Sequence, residues 1–118
     1  MIFFEPGFDI LGGKFEDSPG GVLYREKEVY SYHVYCKYMN NETSLPVKLL
    51  CKGKDYLAVK GKEAAASLLK VGKFITEFGA EDNSEIGVGE IDFILRLANS
   101  KFTSWAYWQF KFYGDFTT

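Results

Sequence analysis

The chain contains one histidine, two cysteines and no long uninterrupted apolar run, and each scarcity excludes a class of protein. A single histidine excludes metal centres built from several imidazoles, and no GxSxG, P-loop or HExxH motif is present. No segment is apolar enough to span a membrane, and the first residues lack the basic and apolar regions of a secretory signal. We therefore expect a cytoplasmic protein that is not an enzyme and needs no metal or cofactor.

The two cysteines, Cys36 and Cys51, both lie in segments where apolar and polar residues alternate. They show no CxxC spacing and have no histidine cluster nearby, so zinc binding and redox chemistry are poorly supported. We expect both cysteines to be reduced residues of the core.

Aromatic residues are abundant, with eleven Phe, eight Tyr and two Trp in 118 residues. One small core cannot hide them all, so some rings should face a ligand or a second subunit, and a homodimer or homotetramer is expected. The net charge of −2 argues against coating of duplex DNA by charge alone. Residues 37–73 nevertheless hold most of the lysines, which predicts one positive surface unless these lysines merely solvate strand edges.

The first half of the chain reads as an arm followed by strands. Residues 1–21 combine phenylalanines with Gly and Pro turns, which predicts an aromatic N-terminal arm. Residues 22–38 alternate with a period of two, as a strand does. Residues 45–52 alternate in the same way after a polar turn, which predicts a hairpin, and residues 56–60 form a third short strand.

The second half adds one helix and further strands. Residues 62–71 are strong helix formers followed by a glycine, and they form the only predicted helix. Strands are predicted at 73–79, 90–98 and 102–113, with a solvated acidic loop at 80–89. Strands with one helix between the third and fourth predict an all-β chain: a single OB-fold domain over residues 1–118, with a five-stranded Greek-key barrel.

The segment AVKGKEAAASLLKVGKFITEFG resembles the strand–helix–strand unit of bacterial-type single-stranded-DNA-binding proteins. The matching positions are Gly61, Lys62, Ala65, Leu69, Gly72, Phe74, Ile75 and Gly79. Chain size and the aromatic arm are most similar to the small members encoded by phages of Gram-positive bacteria. This resemblance implies a protein that coats single-stranded DNA during phage or plasmid replication and recombination, with a recombinase, polymerase or helicase as possible protein partners.

Single-strand binding needs lysines along the phosphates and exposed rings for the bases. The strands that OB-folds offer to ligands carry the first candidates, which are Tyr35, Lys37, Lys48, Lys52, Lys54 and Tyr56, with Lys60 extending the path. Trp105 and Trp108 on the last strand are further candidates for stacking, although core or interface packing would explain each of them equally well. His33 shares the outward face of Tyr35 and is a weaker candidate.

Two other readings of the same residues stay open. The chain could be a small protein-interaction module, or an inhibitor, that acts on replication or host-defence proteins. It could also be a structural virion protein whose rings form subunit contacts. Exposure of Tyr35 and Tyr56 along a continuous positive groove would favour nucleic acid over both. The acids Glu81, Asp82, Glu85, Glu90 and Asp92 lack the spacing of a calcium loop, so we expect them to be solvated.

Overall fold

The computed structural model describes residues 1–6, 15–36 and 43–109. Four strands form one parallel sheet in chain order: β1 (Ile2–Phe4), β2 (Glu28–Val34), β3 (Gly72–Phe78) and β4 (Ser104–Trp105). Helix α1 (Leu45–Leu69) connects β2 to β3, and helix α2 (Glu85–Ser100) connects β3 to β4. A short 3-10 turn, Arg25–Lys27, precedes β2. In the described ranges, neither helix is long and apolar enough to span a membrane.

The predicted all-β OB-fold with one short helix is wrong, because the chain has an α/β arrangement. The predicted strands at 45–52 and 56–60 belong to α1 together with the predicted helix. The predicted strand at 90–98 belongs to α2, which also takes in the second half of the predicted acidic loop. Parallel neighbours need crossover connections, and the two helices supply them.

Buried acidic residues explain why the first part of α1 and the whole of α2 were missed. Helix α1 buries residues three or four apart, namely Cys51, Asp55, Val59, Glu63, Ala66 and Leu69. Helix α2 buries Gly87, Glu90, Ile94 and Ala98 at the same spacing. Asp55, Glu63 and Glu90 occupy core positions of the helices. The spacing of the apolar residues alone therefore does not show the helical period and resembles that of short alternating strands.

Two of the predicted strands are confirmed in position. The central part of 22–38 forms β2, and 73–79 corresponds to β3 within one residue at each end. The last strand is much shorter than predicted, since β4 covers Ser104–Trp105 and the residues after 109 lie outside the described ranges. The predicted arm contains β1, and the prediction of a single domain stays a prediction.

The core lies between one face of the sheet and the two helices. Strand residues Tyr30, Tyr32, Phe4, Ile75 and Phe78 meet helix residues there, and Tyr30 and Tyr32 are each 1% exposed. Both tyrosines therefore point toward the helices. The opposite face of β2 presents Ser31 and His33, as alternation along a strand requires.

Glu63 is buried in this core, and hydrogen-bond donors reach both oxygens of its carboxylate. The hydroxyls of Tyr32 and Thr103 donate to its Oε1, and the ammonium of Lys73 donates to its Oε2. A buried charge is tolerated when it is paired and hydrogen-bonded in this way. Glu63 therefore ties α1 to three strands or strand ends at once.

Cys36 and Cys51 form a disulfide, so the expectation of reduced cysteines is wrong. Their Cα atoms lie 5.7 Å apart, and the bond joins the end of β2 to α1 across 15 positions of sequence. Disulfides persist mainly in oxidising compartments. The cytoplasmic location stays a prediction, and this bond is the observation that argues against it.

Candidate active site

Polar side chains gather where the parallel strands end. Glu5 follows β1, His33 and Glu77 are the penultimate residues of β2 and β3, and Tyr35 directly follows β2. We call Glu5, His33, Tyr35 and Glu77 the edge cluster. In α/β proteins with parallel sheets, ligands bind outside the carboxyl ends of the strands, which makes this edge the first place to look for a site.

A shift in strand register brings Glu77 onto the same face as His33. Tyr32 pairs with Ile75, but His33 pairs with Glu77, which leaves Thr76 as an extra residue in β3. Without this irregularity Glu77 would point toward the helices, because successive side chains of a strand alternate between faces. Bulges of this kind re-aim side chains and are frequent beside active sites.

The edge cluster is held together by three short contacts. His33 Nδ1 lies 3.3 Å from Glu77 Oε2, and His33 Nε2 lies 3.5 Å from Glu5 Oε2. The hydroxyl of Tyr35 donates to Glu77 Oε2 at 2.9 Å. Burial and the neighbouring Glu77 carboxylate raise the pKa of Tyr35, so its phenol keeps the proton that it donates.

Exposed rings lie in and after β4, at the same carboxyl edge of the sheet. Trp105, Tyr107 and Trp108 are each between 39% and 43% exposed, which is unusual for side chains of this size. The ring of Phe78, the residue after Glu77, contacts the rings of Trp105 and Tyr107 edge to face, each at a centroid distance of 5.7 Å. These rings therefore lie at the end of β3, on the side where Phe78 enters the core.

The chain after β4 stays close to the end of β3. The amide of Trp108 donates to the carbonyl of Phe78 at 2.8 Å, and the amide of Ala80 donates to the carbonyl of Trp108 at 3.1 Å. Gly79 has a φ of +122°, and a Cβ there would lie 2.4 Å from the Trp108 carbonyl oxygen. Only glycine fits at this close approach. Gly79 therefore allows the backbone at Trp108 to lie against the end of β3, which carries Glu77.

The structure distributes the predicted site residues over two places. Tyr35, Trp105 and Trp108 lie at the carboxyl edge of the sheet. The others that the structure describes, Lys48, Lys52, Lys54, Tyr56 and Lys60, lie along α1 instead of on strands, so the predicted strand-borne path does not form. Lys60 Nζ covers the Tyr56 ring at 5.7 Å. Lys37 lies outside the described residues.

Sequence reasoning missed both carboxylates of the edge cluster. Glu77 lies in a strand whose neighbours Ile75 and Phe78 are fully buried, and an acid among buried residues is itself unusual. Glu5 comes directly after the apolar strand β1, again at a strand end. Polar residues at the ends of successive strands would have indicated the site, had the strands been recognised as parallel.

A second acidic group lies between the helices, where a solvated loop was predicted. Glu90 of α2 is 0% exposed and Asp55 of α1 is 1% exposed, and we call them the helix acid pair. Within the described ranges, Asp55 Oδ2 and both oxygens of Glu90 lack a hydrogen-bond partner. Burial and, after it, the neighbouring Glu90 raise the pKa of Asp55 to about 7. Burial and the charges of Glu90 and Asp55 likewise raise the pKa of Glu81 to about 8.

A parallel sheet with carboxylates and exposed rings at its carboxyl edge is an arrangement suited to an α/β enzyme that acts on a polar ligand. Residues 11–114 match the model of the family Cellulase (glycosyl hydrolase family 5). The chain belongs to this family. Parallel strands in chain order that alternate with helices are also the arrangement of part of a (β/α)8 barrel, which agrees with the match. Neither the curated proteins nor the solved structures gave a match.

The family match overturns the predicted function. The exclusion of enzymes is wrong, and so is the resemblance to phage single-stranded-DNA-binding proteins, because residues 58–79 form the end of α1 and strand β3 of an α/β fold. We retain neither the single-stranded DNA ligand nor the replication partners and the homo-oligomer predicted with it. The alternative of an interaction module or inhibitor has no support from the match.

Proposed function

We propose that the edge cluster takes part in the hydrolysis of a glycosidic bond, in which Glu77 is the carboxylate that acts on the anomeric carbon and a second carboxyl group protonates the departing oxygen. The observation that carries this proposal is the position of Glu77. A register shift turns it away from the helices at the carboxyl edge of the sheet, in a chain of glycosyl hydrolase family 5. Tyr35 and His33 hold it there at 2.9 and 3.3 Å.

The chemistry of glycoside hydrolysis explains this choice of residue. Glycosidases generally use two carboxyl groups: one protonates the departing oxygen, and the other attacks the anomeric carbon or activates a water. Glu77 suits the second task because Tyr35 donates a hydrogen bond to it and His33 faces the same oxygen. Among the described residues both contacts engage Oε2, so Oε1 is the oxygen that we assign to the substrate.

The exposed rings supply the surface on which a sugar would rest. Sugar rings have apolar C–H faces, and binding sites combine aromatic side chains with a few polar groups that fix orientation. Trp105, Tyr107 and Trp108 are partly exposed at the carboxyl edge that also carries Glu77, which meets this requirement. We therefore assign them to substrate binding and Glu77 to the reaction.

A comparison of two Glu→Gln variants tests the proposal. The family description makes soluble cello-oligosaccharides the first substrates, with aryl β-glycosides of other sugars as a second set. We expect Glu77→Gln to lower kcat by about 10³-fold or more, since the lost group acts directly in the reaction. Glu85→Gln, an exposed acid on α2, is the matched control and should hydrolyse at the normal rate. Equal rates for the two variants would refute the role of Glu77.

A further inference from the structure

His33 is engaged at both ring nitrogens by acids from two different strands. Nδ1 faces Glu77 of β3 at 3.3 Å, and Nε2 faces Glu5 after β1 at 3.5 Å. The Tyr35 ring contacts the imidazole edge to face at a centroid distance of 6.3 Å. The titratable groups that face the ring are therefore Glu5, Glu77 and Tyr35. The carboxylate that we place in the reaction and a second, more exposed carboxylate share one imidazole.

We propose that Glu5 is a positioning residue that acts on Glu77 through His33. This inference rests on the proposed function of Glu77. A carboxylate against one nitrogen of an imidazole fixes the orientation of the ring and the nitrogen that carries the proton, as in the Ser-His-Asp triad and in metal-bound histidines. Glu5 takes that place at Nε2, and the nitrogen that His33 turns toward Glu77 is then Nδ1.

The backbone around Glu5 is built to hold the carboxylate in place. Phe4 is buried against the Phe15 and Tyr30 rings at 5.2 and 5.5 Å, and the Ser31 hydroxyl donates to the Phe4 carbonyl at 3.2 Å. Pro6 on the other side is also buried, and a residue before proline is restricted to extended conformations. Groups that orient a catalytic residue need such a rigid support.

The charges favour the same arrangement. Both imidazole nitrogens donate only in the doubly protonated form, which two flanking carboxylates stabilise by Coulomb attraction. Loss of Glu5 would leave Nε2 without its acid partner, so the ring would turn more freely and would hold Glu77 less firmly. The side chain of Glu5 is 41% exposed, so its replacement by the isosteric Gln should leave the fold intact.

Nuclear magnetic resonance provides a direct test, because His33 is the only histidine and its ring signals are unambiguous. We would titrate the full chain and follow the ring nitrogen and carbon shifts in the unmodified protein, Glu5→Gln, Glu5→Asp and the control Glu85→Gln. We expect Glu5→Gln to change the ring nitrogen shifts of His33, most strongly at Nε2, the nitrogen that faces Glu5. Glu5→Asp should change them less, and Glu85→Gln should leave them unchanged.

Activity supplies the second readout. We expect Glu5→Gln to lower kcat by about threefold to tenfold with little change in KM, since Glu5 does not touch the substrate. Unchanged His33 shifts in Glu5→Gln, or an unchanged kcat in a chain that hydrolyses glycosides through Glu77, would overturn the inference about Glu5. Shifted His33 signals in a chain that hydrolyses no glycoside would instead overturn the proposed function and keep the Glu5–His33 contact.

Discussion

The molecule contains two groups of acidic residues, and they differ in how their charge is compensated. In the edge cluster, Glu5 and Glu77 are partly exposed and face an imidazole, and Glu77 also accepts from the phenol of Tyr35. In the helix acid pair, Asp55 and Glu90 are almost fully buried and three of their oxygens have no partner in the described part of the chain. The first group has an imidazole and a phenol beside its carboxylates, whereas burial raises the pKa of both acids of the second.

Glu63 shows that burial alone does not produce this difference. It is nearly as inaccessible as Asp55, but three donors from the strands and their ends surround its oxygens. Hydrogen-bond donors stabilise a buried carboxylate, whereas a neighbouring acid destabilises it. The partner of a carboxylate, more than its exposure, therefore distinguishes the groups.

The largest effect on kcat should appear when one variant of the edge cluster is compared with one variant of the helix acid pair. Glu77→Gln should lower kcat by about 10³-fold or more and leave the free energy of unfolding nearly unchanged. Asp55→Asn should leave kcat unchanged, because Asp55 is buried between the helices and is not part of the edge cluster. Kinetics and chemical denaturation of both variants at one pH check this, and a large loss of activity in Asp55→Asn would end the distinction between the groups.

Raising the pH should destabilise the fold through the helix acid pair. Carboxyl groups in an unfolded chain have pKa values near 4, and burial raises that of Asp55 to about 7 and that of Glu81 to about 8. A raised pKa means that the folded state binds the proton more tightly, so stability is full below about pH 4 and falls as the pH rises through 7 to 8.

Urea denaturation at pH 5 and pH 8 measures this change, which we expect to be on the order of 3 kcal/mol. Asp55→Asn removes a titrating acid and should flatten the pH dependence, whereas Glu85→Gln on the exposed side of α2 should keep it. Stability that is equal at the two pH values, or higher at pH 8, would show that the pair is not protonated in the folded state.

The disulfide joins the end of β2, which carries His33, to α1, which carries Asp55. Its removal therefore tests how far the edge cluster and the helix acid pair depend on each other. A closed loop of this length stabilises a protein by about 3 kcal/mol. We expect Cys36→Ser with Cys51→Ser to lower the denaturation midpoint accordingly and to leave the His33 titration close to that of the unmodified protein. An unchanged midpoint would show that the bond does not form in solution.

Removal of one hydrogen bond from the edge cluster should have the smallest effect. Tyr35→Phe deletes the hydroxyl that donates to Glu77 at 2.9 Å and keeps the ring beside His33. A hydrogen bond to a charged group contributes about 1.5–3 kcal/mol, which corresponds to a decrease in kcat of roughly tenfold to a hundredfold. The same change at Tyr56 on α1 is the control, and an equal decrease there would contradict the assignment.

The strands could be predicted in part from the sequence, but of the helices only the last part of α1, at 62–69, could be. Alternation in β2 and β3 is clear, and it placed His33 and Tyr35 on one face correctly. Helix α2 was missed because Glu90 occupies a core position, and hydrophobic periodicity cannot anticipate a buried acid.

The active site could not be predicted because parallel pairing assembles it. Glu5 and Glu77 are far apart in sequence and meet at one imidazole only when β1, β2 and β3 lie side by side. The register shift at Thr76 has no sequence pattern of its own, although it decides where Glu77 points. Local patterns report on single elements, and this site depends on contacts between them.

The close approach at Gly79 limits which positions can be varied when the substrate preference of this protein is engineered. A methyl group there would lie 2.4 Å from the Trp108 carbonyl oxygen and 2.7 Å from the Tyr107 ring. Most substitutions at position 79 would therefore displace Tyr107 and Trp108, and libraries that vary this position would mostly contain such variants. Trp105 and Tyr107 are better positions to vary, because their rings are partly exposed and other side chains can replace them without moving the backbone next to Glu77.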